Sequence, residues 1–326
     1  MKKNLIALAV LAASGASFAQ SSVSVYGTVD VAFAHTTATG APSQNLIASS
    51  GVSTSNFGFK GTEDLGGGLK ANFKLEQEFN VDNGAAGTPG VAFNRYSYVG
   101  VSGNFGEVRL GKTGTAFDEI NGNGNAAFDS NALGLQQNAF ASNGYSWTPS
   151  NTVYYATPKV SGFSGALTYS LGENKTATVD AGSITSFHVK YEGGPLYAGL
   201  AYQTEKANGN ATSVDFTRLN ASYDLKVVKV LAAYGRVANG NAETNEWTIG
   251  ADYPVSAALT LSGGIARSSQ NAAAGDVTTK TYALAAAYSL SKRTTVYGGF
   301  QSTTESLANF ADADNSTFAV GVKHTF

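Results

Sequence analysis

An all-β transmembrane antiparallel β-barrel of 16 strands is the fold this chain predicts, and three observations carry it. The last strand, 315–326, alternates apolar and polar residues down to a carboxy-terminal aromatic. Phe318, Val320, Val322 and Phe326 share one face, and Thr317, Gly321, Lys323 and Thr325 share the other. That is the pattern of a strand with hydrocarbon on one side and water on the other. Segments of about ten residues with the same period of two recur along the chain, bounded by Gly, Asn, Asp or Ser clusters. The links between them also sort into short and long.

The first segment, 22–35, opens as Val23-Ser-Val-Tyr-Gly-Thr-Val-Asp-Val-Ala-Phe33. Segments 52–62 and 69–80 flank Asp64-Leu-Gly-Gly-Gly68, whose glycines can take the positive φ of a tight turn. Segments 92–102 and 106–113 flank Gly103-Asn-Phe-Gly106. Then come 151–159 and 163–173, followed by 184–192 and 195–205 around Gly193-Gly-Pro195. Segments 213–225, 227–238, 244–254 and 258–268 continue the alternation, 278–290 and 294–304 meet at Ser291-Lys-Arg293, and 315–326 closes the set.

These tight links trade places with longer polar loops expected at 36–50, 81–91 and 305–314. Short turns on one rim and long loops on the other are the plan of an outer-membrane barrel. Closure is obligatory there, because an open sheet edge in lipid leaves N–H and C=O groups unsatisfied at several kcal/mol each. Tyr96, Tyr98, Tyr155, Phe163, Tyr169, Tyr191, Trp247, Tyr253, Tyr282, Tyr288 and Phe300 are read on the apolar, outward parity, often near strand ends where interfacial girdles form. A soluble β-sandwich would carry the same alternation but rarely so many strands with sorted loop lengths.

Composition agrees. The chain has 38 Gly, 6 Pro and no Cys, so neither a disulfide framework nor a thiolate metal site supports it. Met1-Lys-Lys-Asn4, the apolar run Leu5–Ala13 and the small residues of Ala16-Ser-Phe-Ala19 form an export signal, 1–19, with cleavage expected before Gln20. No later stretch approaches the ~20 apolar residues of a membrane helix. Of 21 basic side chains, loss of Lys2 and Lys3 leaves 19 against 23 acidic ones, which gives no basic field for nucleic acid. No linker or composition shift divides the rest, so 20–326 is one domain.

One connection differs from the others. Gly114–Ser150 contains no Lys or Arg but carries Phe117, Ile120, Phe128, Leu133, Leu135, Phe140, Tyr145 and Trp147. Such residues need a surface to pack on, so the loop is expected to fold inward, pack on the barrel wall and narrow the lumen, with Asp118, Glu119 and Asp129 near the constriction. A surface-exposed receptor-binding loop is the alternative.

Three stretches resemble the general porins of Gram-negative bacteria, in the branch of Neisseria, Burkholderia and Comamonas relatives. They are Ser24-Val-Tyr-Gly-Thr-Val-Asp30, Gly58-Phe-Lys-Gly-Thr-Glu-Asp-Leu-Gly-Gly-Gly-Leu-Lys-Ala71, and Asn94-Arg-Tyr-Ser-Tyr-Val-Gly-Val-Ser-Gly-Asn-Phe-Gly-Glu-Val-Arg-Leu-Gly-Lys112. The resemblance covers the mature chain. It implies a homotrimer in the outer membrane, among lipids and lipopolysaccharide, with passive diffusion of ions and small hydrophilic solutes and no cofactor. It also implies recognition of the strand ending in Phe326 by the barrel-assembly machinery.

Parity assigns the lumen charges. Phe57 and Phe59 outward put Asn56 and Lys60 inside, and Phe73 and Leu75 outward put Lys74 and Glu76 inside. Tyr96 and Tyr98 outward put Arg95 inside, and Val108 and Leu110 outward put Arg109 inside. Family members commonly face an Arg cluster on one wall with loop carboxylates. Here Asn56 stands where the family has Arg, and the basic residue expected before the sixth strand is missing. Weak charge selectivity is therefore expected, leaning toward cations if the loop acids face the pore. Arg95 could instead serve to pair with a loop carboxylate and hold the loop.

Other motifs carry little. Gly122-Asn-Gly-Asn-Ala-Ala127 lacks the strand-to-helix unit of a nucleotide site. Asp312 and Asp314 match no more than the start of a calcium loop, without its later Gly and Glu. His35, His188 and His324 sit on different strands without an evident nucleophile partner, so no enzyme is expected. A barrel acting mainly as adhesin or receptor is the alternative function.

Overall fold

A computed structural model describes residues 22–210, 212–271, 275–308 and 310–326; the expected export signal, 1–19, lies outside them. The strands are β1 (Ser22–Ala38), β2 (Ala41–Ser49), β3 (Asn56–Gly66), β4 (Leu69–Glu78), β5 (Tyr96–Gly103), β6 (Gly106–Lys112), β7 (Thr152–Ala156), β8 (Phe163–Leu171), β9 (Ser183–Gly193), β10 (Leu196–Lys206), β11 (Ser213–Asp224), β12 (Lys229–Asn239), β13 (Ala242–Pro254), β14 (Leu259–Asn271), β15 (Val277–Ser289), β16 (Thr294–Leu307) and β17 (Ala313–Thr325). Each pairs antiparallel with its neighbours, and β1 with β17 closes the ring.

The 17 strands fill 16 wall positions. The first part of β1, Ser22–Thr28, pairs with β3, and the later part, Val31–Ala38, pairs with β2. β2 and β3 are thus one wall strand interrupted at residues 50–55. This corrects the expectation of a polar loop at 36–50. The polar residues there form a hairpin with β1, turning at Thr39-Gly40, where Gly40 takes a φ of 77°. The loop expected at 305–314 likewise shortens, because β16 runs to Leu307 and β17 begins at Ala313.

The outer face is apolar along the wall: Val25, Phe57, Val99, Leu110, Leu167, Val189, Leu219, Ile249, Ile265, Leu284 and Val320 are all exposed. Tyr155, Phe163, Tyr169, Trp247, Tyr253, Tyr282, Tyr288 and Phe300 join them, as their parity requires. The buried apolar residues lie inside instead, where the loop between β6 and β7 meets small wall residues such as Ala266, Ala283 and Ala285.

Closure is completed at the carboxy terminus. Gly27 and Phe326 exchange both main-chain hydrogen bonds at 3.1 Å, and a Cβ on Gly27 would lie 2.5 Å from the Phe326 ring and 2.6 Å from the Asn56 carbonyl. Only glycine lets the terminal aromatic lie across β1. Gly27→Ala is expected to cost ~1–3 kcal/mol, as overpacking does. The check is gel migration of unheated protein, with a smaller fraction running as the compact barrel than in the parent.

Candidate pore constriction

The lumen face of β1, β3, β4, β5 and β6 carries the basic wall. Glu76 on β4, 4% exposed, is its hub. Its carboxylate accepts from the Tyr26 hydroxyl at 2.8 Å and from Arg95 Nε at 2.6 Å, and it pairs with Lys74 Nζ at 3.1 Å. Lys74 also lies 3.5 Å from the centre of the Tyr96 ring, and Lys60 lies 4.7 Å from that of Tyr26. Arg109 donates to Glu107 at 2.6 Å and stands over the Tyr154 ring at 4.2 Å and the Tyr98 ring at 5.3 Å. Cationic heads held between aromatic faces are partly desolvated and fixed in place.

These contacts correct the parity of β5. Tyr96 and Tyr98 face the lumen, and Ser97, Val99 and Val101 face outward. Both parities of β5 carry large residues, so alternation alone does not decide between them, and the cations provide polar company for the two rings. Arg95 is inside, but through the path by which the chain enters β5 and not through strand alternation: its N–H bonds the Glu76 carbonyl, and its guanidinium stacks 4.7 Å from the Trp147 ring. Lys60, Lys74 and Arg109 are where parity placed them. Asn56 stands at the head of β3, on the same face, and its amide bonds the Thr54 carbonyl.

The loop between β6 and β7 folds into the barrel. It contains a 3-10 turn at Asp118–Gly124, helix α1 (Leu135–Ala139) and a second 3-10 turn at Ala141–Gly144. Phe117 and Ile120 are fully buried with Tyr145 against Ala201 and Phe216, and Leu133 and Leu135 against Ala266, Ala283 and Ala285. Each such burial is worth about 1.5–3 kcal/mol. A Cβ on Gly250 would lie 2.4 Å from that of Ala126, so the wall must be small at this approach of the loop.

Wall side chains satisfy the loop's main chain. His188 bonds the Ala116 carbonyl at 2.7 Å, Asn220 the Asn121 carbonyl at 3.0 Å, and Gln203 the Ser146 carbonyl at 3.1 Å. Glu246 and Glu205 accept from the N–H groups of Ser142 and Ser146 at 3.0 and 2.6 Å. Arg218 of β11, fully buried, donates to Asn121, Gln136, Ser142 and Asn143. The loop tip meets the interruption between β2 and β3: Ser130 Oγ and the Ala132 N–H bond the Gly51 carbonyl at 3.0 and 2.9 Å. That interruption is held by Asp30, whose carboxylate accepts from the N–H groups of Gly51 and Val52 and from the Tyr297 hydroxyl.

The three loop acids differ. Glu119 accepts from Tyr154 at 2.6 Å and lies 3.7 Å from Arg109 and 3.8 Å from His188, facing the basic wall. Asp118 accepts from Tyr145 at 2.6 Å, and burial pushes its carboxyl up to about 6 against that bond and the nearby Arg95. Asp129 accepts from Asn125 and Gln137 within the loop, and burial raises it too. Glu119 is the loop acid within ion-pair distance of a wall cation, whereas Asp118, near Arg95, is held by Tyr145 and Asp129 by Asn125 and Gln137, so a cation lean has one open loop acid behind it. Asp314 accepts from Thr304 at 2.6 Å, and among the described residues neither it nor Asp312 joins a three-ligand metal cluster.

Sequence reading missed Arg218, Glu246, Asp30 and Tyr297. Arg218, opposite in parity to the outward Leu219, was legible as a lumen charge; its burial beneath the loop was not.

A closed barrel with an apolar exterior, a charged lumen and an inward loop defines a membrane pore. Residues 6–325 match the Gram-negative porin family, and the chain belongs to it. It is 41% identical over 278 residues to outer membrane porin protein 32 of Delftia acidovorans, covering 78% of this chain and 76% of that one. It is 33% identical over 300 residues to an outer membrane porin protein of Bordetella pertussis, covering 81% and 74%. Among solved structures, an anion-selective porin from Comamonas acidovorans superposes with a TM-score of 0.81 at 31% identity, over 94% of this chain and 100% of that one. OmpT of Vibrio cholerae, in a trimer form, gives 0.71 at 15% identity over 94% and 99%, a likeness of fold alone. This chain is a bacterial outer-membrane barrel and a general diffusion porin, in a family of non-enzymatic channels.

Two outcomes are expected. Arg218→Leu removes the donor shared by four loop side chains, each left unsatisfied at about 1–3 kcal/mol. Limited proteolysis of the folded barrel should then cut within 114–150, where the parent resists. Asp118 has a folded-state value above its ordinary 3.8, so its ionised form weakens the loop's seating near neutrality. Stability is gained as pH falls through about 6 toward 3.8. Loop protease resistance should therefore rise on acidification across that window, and Asp118→Asn should reduce the rise, leaving the part that Asp129, also raised by burial, contributes.

Proposed function

We propose that the pore is a homotrimeric general diffusion channel that excludes by size and has a weak anion preference. The observation that carries the preference is the exposure of the wall charges. Lys60, Lys74, Arg95 and Arg109 present four cationic heads from neighbouring strands. Glu76 lies behind its donors at 5% side-chain exposure, while Glu78, Glu107 and Glu119 remain open at 31%, 24% and 28%. Four cations against three open carboxylates in a narrow aqueous passage favour anions slightly. The anion-selective porin from Comamonas acidovorans supports the same reading.

The exposed apolar face of β1 and β3, including Val23, Val25, Phe57 and Phe59, offers the surface for subunit contact, with residues 81–91 as a second element. Lipid and lipopolysaccharide would cover the remaining wall, and the assembly machinery would read the strand ending in Phe326.

The test is the reversal potential of refolded protein in a planar bilayer under a salt gradient. Conductance steps in groups of three, with a modest anion potential, are expected. Arg95→Ala should move the potential toward cations, and an unchanged potential would remove Arg95 from the constriction. Protein that migrates as a monomer without heating would count against the trimer.

A further inference from the structure

The outer wall carries a charged patch that the passage of solutes does not use. Arg236 of β12, Arg267 of β14 and Lys280 of β15 are exposed at the long-loop edge of the apolar band, beside Tyr234, Trp247 and Tyr282. Toward the short turns from this edge, a groove of about 770 Å³ runs over β9–β13 in the apolar face itself. We propose that patch and groove together form a docking site for the phosphorylated, acylated sugar anchor of lipopolysaccharide. The inference rests on the reading above that lipopolysaccharide covers this part of the wall, and it names the residues that recognise it.

Strand register builds both parts. A single row of directly opposed residues runs through Leu200, Leu219, Tyr234, Trp247, Arg267 and Lys280, from β10 to β15. The next row toward the short turns is Ala198, Ala221, Ala232 and Ile249. The row after that returns to larger side chains, Leu196, Tyr223 and Val230. Three alanines in register between bulky rows leave the groove, and its upper edge leads directly to the two cations. At about 4.8 Å per strand, its floor spans roughly 14 Å from β10 to β13, close to half of the ~30 Å hydrocarbon core. Ala266, Ser268, Thr281 and Ala283 are buried on the lumen side, so alternation fixes Arg267 and Lys280 outward.

Charge selects the ligand class. Directly opposed residues stand about 4.5–5.5 Å apart at Cβ, and like charges so placed destabilise a sheet. Arg236 is paired with Glu243 at 2.6 Å, but among the described residues neither Arg267 nor Lys280 has a carboxylate within ion-pair distance. The nearest acid along their row, Asp314, is two strands beyond Lys280 and accepts from Thr304. A phosphate seated between the two cations removes their repulsion, and the guanidinium offers it a planar fork of donors. Arg267 Nε donates to Ser269 Oγ at 3.2 Å, which leaves its terminal nitrogens for the anion. Ser269 and Thr278, directly opposed one row farther toward the long loops, add hydroxyls at the level of a sugar ring. That row favours a phosphorylated glycolipid over a glycerophospholipid. Tyr234, Trp247 and Tyr282 mark the depth of the membrane interface, so the same strands place phosphate at the boundary and an acyl chain in the groove.

The experiment is native mass spectrometry of the refolded protein in zwitterionic micelles, titrated with bisphosphorylated lipid A and, in parallel, with phosphatidylglycerol and inorganic phosphate. Each protein is first checked for heat-modifiable migration and for conductance steps in a planar bilayer. The expected result is saturable binding of lipid A, weaker binding of phosphatidylglycerol, and no displacement by equimolar phosphate. Arg267→Gln/Lys280→Gln should raise half-saturation by lipid A about tenfold through lost charge-assisted bonds. Ala221→Phe, which fills the groove without changing charge, should raise it several-fold. Lys292→Gln/Arg293→Gln, an equal loss of charge at the short-turn edge, should leave it unchanged. Equal half-saturation in the parent and the Arg267/Lys280 variant, or an equal rise in the Lys292/Arg293 variant, would overturn the site. Unchanged binding in Ala221→Phe would overturn the part of the groove. Equal binding of phosphatidylglycerol, or displacement by phosphate alone, would overturn lipopolysaccharide as the occupant. In all of these cases the parent's conductance steps leave the channel reading standing, and their absence would overturn that reading itself.

Discussion

Closure of the sheet between β1 and β17 is the constraint on which the remaining structure depends. In hydrocarbon no water can satisfy a free strand edge, so every wall position must pair on both sides. β1 meets this demand by pairing β17 along one edge and two successive strands, β2 and β3, along the other. The interruption between those strands would leave main-chain groups open. Asp30 accepts from two of them, and the loop tip donates to the Gly51 carbonyl. The same few residues thus complete the barrel and dock the constriction.

That docking explains an inside packed like a protein core and an outside that is apolar because it meets lipid. The loop brings Phe117, Ile120, Leu133 and Leu135 to a wall that supplies alanines and glycines at the contacts. Its polar main chain is met by His188, Gln203, Asn220 and Glu246, each projecting from a different strand. A buried Arg218 bonded to four loop side chains adds specificity, since any other loop path leaves a guanidinium without partners in a low-dielectric setting. The inward loop is therefore tied to the wall at many points along its path.

Charge in the lumen follows from the same geometry. Aromatic rings separate the wall cations, and Glu76 is shielded behind them, so composition alone, with 23 acidic and 21 basic side chains, misleads about what a passing ion meets. Two of the three loop acids are spent on the loop's own hydrogen bonds. Glu119 remains to face Arg109 and His188. The field across the passage is set by which carboxylates stay open.

Period-two alternation by itself determined the barrel, its outer face and most strand limits, because lipid imposes one rule on every strand. The aromatic content of 114–150 likewise determined that the loop must pack on something. Alternation failed at β5, where Tyr96 and Tyr98 face the lumen: a pore lined with cations accepts rings as readily as lipid does, so apolarity no longer marks the outside. It failed at 36–50, where polar residues form strand beyond the apolar band. The roles of Arg218, Asp30 and Tyr297, and the separation of Glu119 from Asp118 and Asp129, were decided only by tertiary structure. Each depends on contacts between residues distant in the chain, and those exist only once the loop's path across the wall is fixed.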